Sequence, residues 1–251
     1  MKTTMIAAAA AATTLTLAPM QASALMTLMI DDFTTPHWVT AQPIAGVPSA
    51  SQIVAPGAIG GFRSMRVETD LAEPSVSSLR IFSGTPSLAF SNDAATTSRG
   101  WIVYDGANDS STGNIDKTGL GGVNFLIGPD PFFDFNIITA DPGLFVRISV
   151  WDMNETKTQY TEILPAVDLD PLLPLTDFSV VELGLGGETV FDWTRVGAIE
   201  FFVEATLAAY DGQIGAITVN AIPLPAPALL LLGGLGGLGG MTLLRNRRRK
   251  A

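Results

Sequence analysis

Between residues 26 and 220 the chain offers hardly any stretch of ten to twelve residues with uninterrupted helical periodicity, and this limits its fold more than any other feature. Short runs rich in Val, Ile, Phe and Thr recur instead, each closed by Gly, Pro, Asn, Asp or Ser. They are Met26 to Phe33, Phe62 to Thr69, Ser78 to Phe82, Leu88 to Phe90, Trp101 to Tyr104, Val123 to Ile127, Phe135 to Ile138, Leu144 to Trp151, Gln159 to Leu164, Phe178 to Leu183, Ala198 to Glu204 and Ile214 to Val219. β-Branched and aromatic side chains fit an extended, half-buried backbone and the closing residues fit turns, so each run is a predicted strand. In Leu144 to Trp151 the pattern is explicit: Val146, Ile148 and Val150 alternate with Arg147 and Ser149, which puts one face in a core and the other toward solvent.

About a dozen such strands, few helices and no fixed repeat predict an all-β protein, a single jelly-roll-type β-sandwich rather than a propeller or a solenoid. The sandwich is expected over residues 25–221, flanked by an N-terminal signal helix and a C-terminal transmembrane helix. Some 200 residues suffice to bury roughly 70% of the unfolded surface in one core.

The two ends differ from the middle. Met1-Lys2, an Ala-rich apolar run from Ile6 to Leu17 and the triplet Ala22-Ser23-Ala24 form the pattern of a secretory signal peptide over residues 1–24, with cleavage after Ala24. At the other end, Ile222-Pro223-Leu224-Pro225-Ala226-Pro227 leads into the uncharged stretch 228–244, which is 17 residues long, and then into Arg245, Arg247, Arg248, Arg249 and Lys250. As a helix, that stretch would reach about 25 Å, a short membrane span, and the cations after it would hold the C-terminus on the cytoplasmic side. Six glycines between 233 and 240 give a thin helix face suited to close packing against another membrane protein. The prolines keep the preceding segment extended, as a protease requires.

Ile222-Pro223-Leu224-Pro225-Ala226, a glycine-rich apolar span and an Arg-rich end resemble, in that order, the VPLPA variant of the PEP-CTERM sorting signal of exported Gram-negative proteins. The departure is Ile222 in place of Val. The resemblance implies recognition and cleavage by an exosortase-like membrane transpeptidase, transient residence in the inner membrane through residues 228–244, and delivery to the cell surface or an exopolysaccharide-associated matrix. A second resemblance is carried by Ile30-Asp31-Asp32-Phe33, Gly60-Gly61-Phe62-Arg63, Tyr104-Asp105-Gly106, Val150-Trp151-Asp152 and Phe191-Asp192-Trp193-Thr194-Arg195-Val196-Gly197-Ala198-Ile199-Glu200. These look like the jelly-roll, galactose-binding-like ectodomains that precede such tails.

Charge and composition then exclude several functions. The chain has 24 acidic and 14 basic residues, a net charge of -10, one His and no Cys. Without Lys2 and the five tail cations, eight basic residues face the same 24 acids, a charge of about -16, so nucleic acid is not an expected partner. The absence of Cys removes disulfides, thiol catalysis and thiolate metal sites, and a lone His37 removes most His-based chemistry. No G-x-S-x-G motif accompanies it, and no two of the carboxylates stand out as an acid/base pair, so the chain is not expected to be an enzyme.

Abundant acids suit a structural calcium, the one cofactor considered. The loop from Asp105 to Asp116 and the turn from Asp152 to Lys157 both fail the EF-hand template. The resemblance to sugar-binding jelly rolls implies instead a calcium where the first and last strands meet, with Asp31, Asp32 and Asp211 as candidate ligands. Asp residues at strand ends also commonly cap turns. For polysaccharide, Trp38, Trp101, Trp151, Trp193, Tyr104 and Tyr210 are available to stack. Trp101 and Trp151 are expected in the core, and Trp38 exposed in a loop beside a surface His37. The leading expectation is therefore an exported, non-enzymatic surface or matrix protein sorted by an exosortase-like partner. The alternative is a calcium-assisted carbohydrate-binding module.

Overall fold

The computed structural model of the chain describes residues 25–41, 47–70, 77–81, 85–93, 96–107, 113–141, 143–164, 172–205 and 208–222. Among these, fourteen strands form two sheets. The first sheet contains β1 (Met26–Asp31), β2 (His37–Thr40), β5 (Ser77–Ile81), β6 (Leu88–Asn92), β8 (Pro131–Ala140), β11 (Leu172–Pro174) and β14 (Asp211–Ala221). Its order is β11-β8-β14-β6-β5-β2, with β1 also paired to β14. The second contains β3 (Ser49–Val54), β4 (Phe62–Thr69), β7 (Ser98–Tyr104), β9 (Leu144–Asp152), β10 (Lys157–Leu164), β12 (Ser179–Glu182) and β13 (Val196–Ala205), in the order β12-β10-β9-β13-β7-β4-β3. The pairings within both sheets are antiparallel, and the described residues form an all-β, jelly-roll-like sandwich.

Alternation decides what lies between the sheets. From β9 come Leu144, Val146, Ile148 and Val150, and from β13 come Ile199, Phe201 and Val203; they meet Phe133, Phe135 and Ile137 of β8 and Ile217 and Val219 of β14. Phe201 takes Phe133 and Phe135 edge-on, at centroid separations of 6.1 and 5.5 Å, the arrangement favoured by ring quadrupoles. Each such side chain stabilises the sandwich by roughly 1.5–3 kcal/mol on burial.

One polar tie crosses this apolar layer. Asp31 ends β1, where a register shift after Met29 interrupts its pairing with β14, and its carboxylate is fully buried. It accepts two hydrogen bonds from Arg63 of β4, from Nε at 2.6 Å and Nη2 at 2.7 Å, and a third from the Tyr104 hydroxyl of β7 at 2.7 Å. The Phe33 N–H supplies a fourth at 2.8 Å. Arg63 also donates to the Thr35 carbonyl at 2.9 Å and stands over the Phe33 ring at 5.4 Å. Burial opposes the Arg63 charge, but the bonds to Asp31 outweigh it and raise the guanidinium pKa. Burial, followed by the Asp31 charge, pushes the Tyr104 hydroxyl well above its ordinary value.

Two parts of the sequence reading change. Val123 to Ile127 is not a strand: Val123 makes an isolated bridge to Val196, and Phe125 N–H reaches the Trp193 carbonyl, because the segment crosses between sheets after Gly121 and Gly122, both at positive φ. Conversely, β2, β3 and β11 form without a strong local signal. The Ser-Ala-Ser-Gln run of β3 is held by its register with β4, and β11 is three residues ending at Pro174. The predicted signal segment 1–24 and transmembrane segment 228–244 lie outside the described residues. Among the described residues no helix is long and apolar enough to cross a membrane.

Removing one partner of the buried pair strands the other's charge. Arg63→Met or Asp31→Leu alone is expected to cost about 3–5 kcal/mol in urea unfolding, and the double variant Asp31→Leu/Arg63→Met much less than the sum. Strict additivity would show that the two residues are not coupled.

Candidate functional site

The outward face of the second sheet concentrates chemistry that the core excludes. The alternation that buries Ile148 and Val150 turns Phe145, Arg147, Ser149 and Trp151 of β9 outward; the same rule turns out Glu200, Phe202 and Glu204 of β13, Arg99 and Trp101 of β7, and Arg66 and Glu68 of β4. Register sets Arg66 opposite Trp101, Trp101 opposite Phe202, and Phe202 opposite Arg147. The result is a row across four strands that reads cation, ring, ring, cation. Arg66 lies 4.4 Å over the Trp101 ring, Trp101 and Phe202 are 5.2 Å apart, and Arg147 lies 4.2 Å over Phe202. On the same face Lys157 stands 5.0 Å over Trp151.

These cations are half of the eight basic residues between 25 and 222, and each has a carboxylate beside it. Arg66 bonds Glu68 at 2.9 Å, Arg99 bonds Glu204 at 3.0 Å, Lys157 bonds Glu182 at 3.0 Å, and Arg147 reaches Glu200 at 3.4 Å. Burial raises the Glu200 pKa, while Arg147 opposes the shift. The face is thus close to neutral on a domain of strong negative charge.

Its polar atoms are not all satisfied. Arg66 Nε, Arg147 Nε, Ser149 Oγ and Trp151 Nε1 are buried without a hydrogen-bond partner among the described residues. Ser149 is 0% and Trp151 4% exposed. A buried donor left in that state costs about 1–3 kcal/mol, so four on one face are a feature to explain. Three of them follow one another along β9 at every second residue, a line about 13 Å long.

The residues singled out from sequence are distributed more widely. Asp31, Asp32 and Asp211 do not converge: Asp31 is opposite Ile217, six residues along β14 from Asp211, about 20 Å away. The Asp31 carboxylate is committed to Arg63 and Tyr104, and Asp32 accepts from the Thr34 N–H and hydroxyl at 2.9 and 2.8 Å. Asp211 donates its N–H to Asp141 at 3.0 Å. Asp105 accepts from Ala107 N–H and Asp116 N–H, and Asp152 from Asn154, Thr156 and Asp192 N–H groups, so both organise loops. Among the described residues no group of three or more His, Asp or Glu is placed to hold a metal ion.

Trp38 is 68% exposed, as expected, but on strand β2 rather than in a loop. His37 beside it is buried, not on the surface, because alternation along β2 turns it inward. Trp151 is buried, but on the outer face of the second sheet beneath Lys157, and Trp101 belongs to the outer row; neither lies in the core between the sheets. Ile222 is 54% exposed directly after β14. Ala22, Ala24, Pro223, Leu224, Pro225, Ala226, Arg245, Arg247, Arg248, Arg249 and Lys250 lie outside the described residues. Between the sheets, a cavity of about 30 Å³ is lined by Leu88, Ile137, Leu173 and Ile214, with Tyr160 and Glu162 its polar neighbours. The Tyr160 hydroxyl donates to Glu162 at 2.7 Å, and burial pushes its pKa up to about 12.

No family model and no curated protein matches the chain. Among solved structures it is similar to a family 11 carbohydrate-binding module of a cellulosomal cellulase of Clostridium thermocellum, at 11% identity and a TM-score of 0.35, over 80% of this chain and 99% of that one. A solution structure of CtCBM11 matches at 15% identity and a TM-score of 0.40, over 81% and 100%. TmCBM61, solved with β-1,4-galactotriose, matches at 11% identity and a TM-score of 0.24, over 75% and 89%.

The buried His37 carries a pH dependence. Burial, then the nearby Arg63 charge, lowers its pKa to about 4. An unfolded His titrates near 6.5. Between these values the unfolded chain binds more protons, so the contribution of His37 is fully present above about pH 6.5 and is lost as pH falls toward 4. The urea midpoint of the parent protein should fall between pH 7 and 5.5, and His37→Gln should flatten that fall; identical slopes would remove His37 as its origin.

Proposed function

We propose that the domain is a non-catalytic, polysaccharide-holding module whose ligand lies across the outer face of the second sheet. The observation that carries this is the row Arg66, Trp101, Phe202, Arg147 together with the unpartnered donors beside it. A sugar ring offers an apolar C–H face for stacking and a rim of hydroxyls that accept and donate hydrogen bonds. Rings to stack on and an acceptor in Glu200 match those two needs, and the buried donors Arg147 Nε, Ser149 Oγ and Trp151 Nε1 become reachable once a cation moves off its ring. Each guanidinium is held over its ring by about 0.5–2 kcal/mol and one carboxylate contact, so a ligand can displace it.

Trp101→Ala is expected to weaken binding of soluble glucans and galactans, or of the host's own exopolysaccharide, by tenfold or more in calorimetry. The thermal midpoint should change little, because Trp101 lies outside the central core. Undiminished binding would move the ligand off this face. A chelator arm separates the calcium-assisted form: a calcium requirement would place the ligand at a loop such as 105–116.

A second reading concerns delivery and is favoured by the tripartite tail that follows the sandwich. We propose export through residues 1–24, brief retention by 228–244 and cleavage within Ile222 to Pro227 by an exosortase-like transpeptidase, leaving the domain at the cell surface or in an extracellular matrix. In its support, Leu25–Pro223 forms a compact unit of its own, and Ile222 near its end is exposed. In the native host, Pro223→Ala/Pro225→Ala is expected to leave the full-length form in the membrane fraction, read by mass-spectrometric mapping of both termini. Normal release of that variant would exclude the proline segment as the signal.

A further inference from the structure

Both ends of the described chain leave the sandwich at one pole. Met26 and Ala221 are cross-strand partners, and Ile222 follows at once. The connection from β12 to β13, residues 183–195, belongs to the same pole: β12 ends at Glu182 opposite Lys157, and β13 begins at Val196 opposite Asp152. The crossing segment 123–128 joins the two places. Val123 bridges Val196, Phe125 N–H donates to the Trp193 carbonyl at 2.8 Å, and a Cβ on Gly128 would stand 3.3 Å from Met26 Sδ and 2.8 Å from Ala221 Cβ.

On the 183–195 connection Leu183, Leu185 and Val190 are exposed at 62, 66 and 75%. Single exposed aliphatics are ordinary; three within eight residues whose one charge is Glu188 form a presented apolar tip. The tip is built rather than loose: Leu185 N–H donates to the Asn154 carbonyl at 2.7 Å, Gly184 N–H to Glu188 at 3.1 Å, and Gly187 N–H to Gly184 at 3.0 Å. On the crossing segment Leu126 is exposed as well.

The sequence beyond Ile222 points to a lipid surface as what meets it. Five residues separate it from the uncharged stretch 228–244. Fully extended, they reach about 20 Å, so with that stretch in a bilayer the pole stays within about 20 Å of the lipid surface. We infer that this pole is a bilayer-apposed face, with Leu183, Leu185 and Val190 entering the headgroup boundary while the tail is in place. The inference rests on the reading of 228–244 as a membrane span. A tether this short supplies a high local concentration, so a weak apolar contact is enough to orient the domain. Once the tail is cut, three aliphatic side chains must hold a strongly acidic domain against anionic lipid alone, and the contact dissolves.

The chain has no Cys, so one introduced thiol labels one site. Full-length Leu185→Cys and Thr161→Cys, each carrying an environment-sensitive fluorophore, are reconstituted into phosphatidylcholine and phosphatidylglycerol vesicles with or without brominated acyl chains. Thr161 is exposed on the outer sheet face, away from this pole. The expected result is at least about twofold stronger bromine quenching at the Leu185 site than at the Thr161 site. Equal quenching in chains that float with the vesicles overturns the inference and leaves the span intact. A blue-shifted Leu185 label without bromine quenching means that protein, a second copy or another partner, covers the tip, and overturns it too. Failure to float with vesicles overturns the span and the inference together.

Discussion

Two sheets pressed together by apolar side chains would slide without something that fixes where one sits on the other, and the buried Asp31–Arg63–Tyr104 cluster supplies that. Its three members come from β1 in one sheet and from β4 and β7 in the other. Hydrogen bonds between charged groups are directional where hydrophobic contact is not, so the cluster specifies relative position at a desolvation cost that apolar residues would avoid. The surroundings follow from it. Phe33 caps the guanidinium, the Thr35 carbonyl accepts from its Nη1, and His37, inward on the next strand, is kept neutral by burial and then by the nearby Arg63 charge.

With position fixed from inside, the outer face of the second sheet is free to carry groups that contribute little to the fold. Antiparallel pairing delivers side chains from four strands into one line, and Arg66, Trp101, Phe202 and Arg147 are neighbours only because of it. The same pairing leaves Ser149 and Trp151 buried with idle donors, a cost that packing alone gives no reason to retain. Balanced charge keeps this face distinct from the acidic remainder, and any partner it meets is chosen by shape and hydrogen bonding more than by long-range attraction.

How much of this could be read from the chain depends on the range of the interaction. Alternation between Leu144 and Trp151 is local, and it set Arg147 and Ser149 on the face opposite Val146, Ile148 and Val150, although Ser149 is buried there rather than turned to solvent. That Trp101 and Phe202 lie beside them is set by strand pairing across more than 40 residues, which no local pattern encodes. Asp31 is the sharper case. Beside Asp32 at a strand end it has the appearance of a metal ligand or turn cap, yet its partners lie 32 and 73 residues further along. Propensity likewise underrated β3, whose serines are extended because β4 pairs with them, and overrated Val123 to Ile127, whose residues are strand formers with only one bridging partner.

The last strand of the domain is also the hub of its first sheet. β14 is the common neighbour of β8, β6 and β1, and without Asp211–Ala221 those three have nothing that joins them. A polypeptide that emerges from its N-terminus onward therefore remains without a complete first sheet until nearly all of the domain has appeared. Its topology postpones closure of the sandwich to that last strand, and the apolar inner side of the second sheet, whose strands all come earlier, waits for its cover until then.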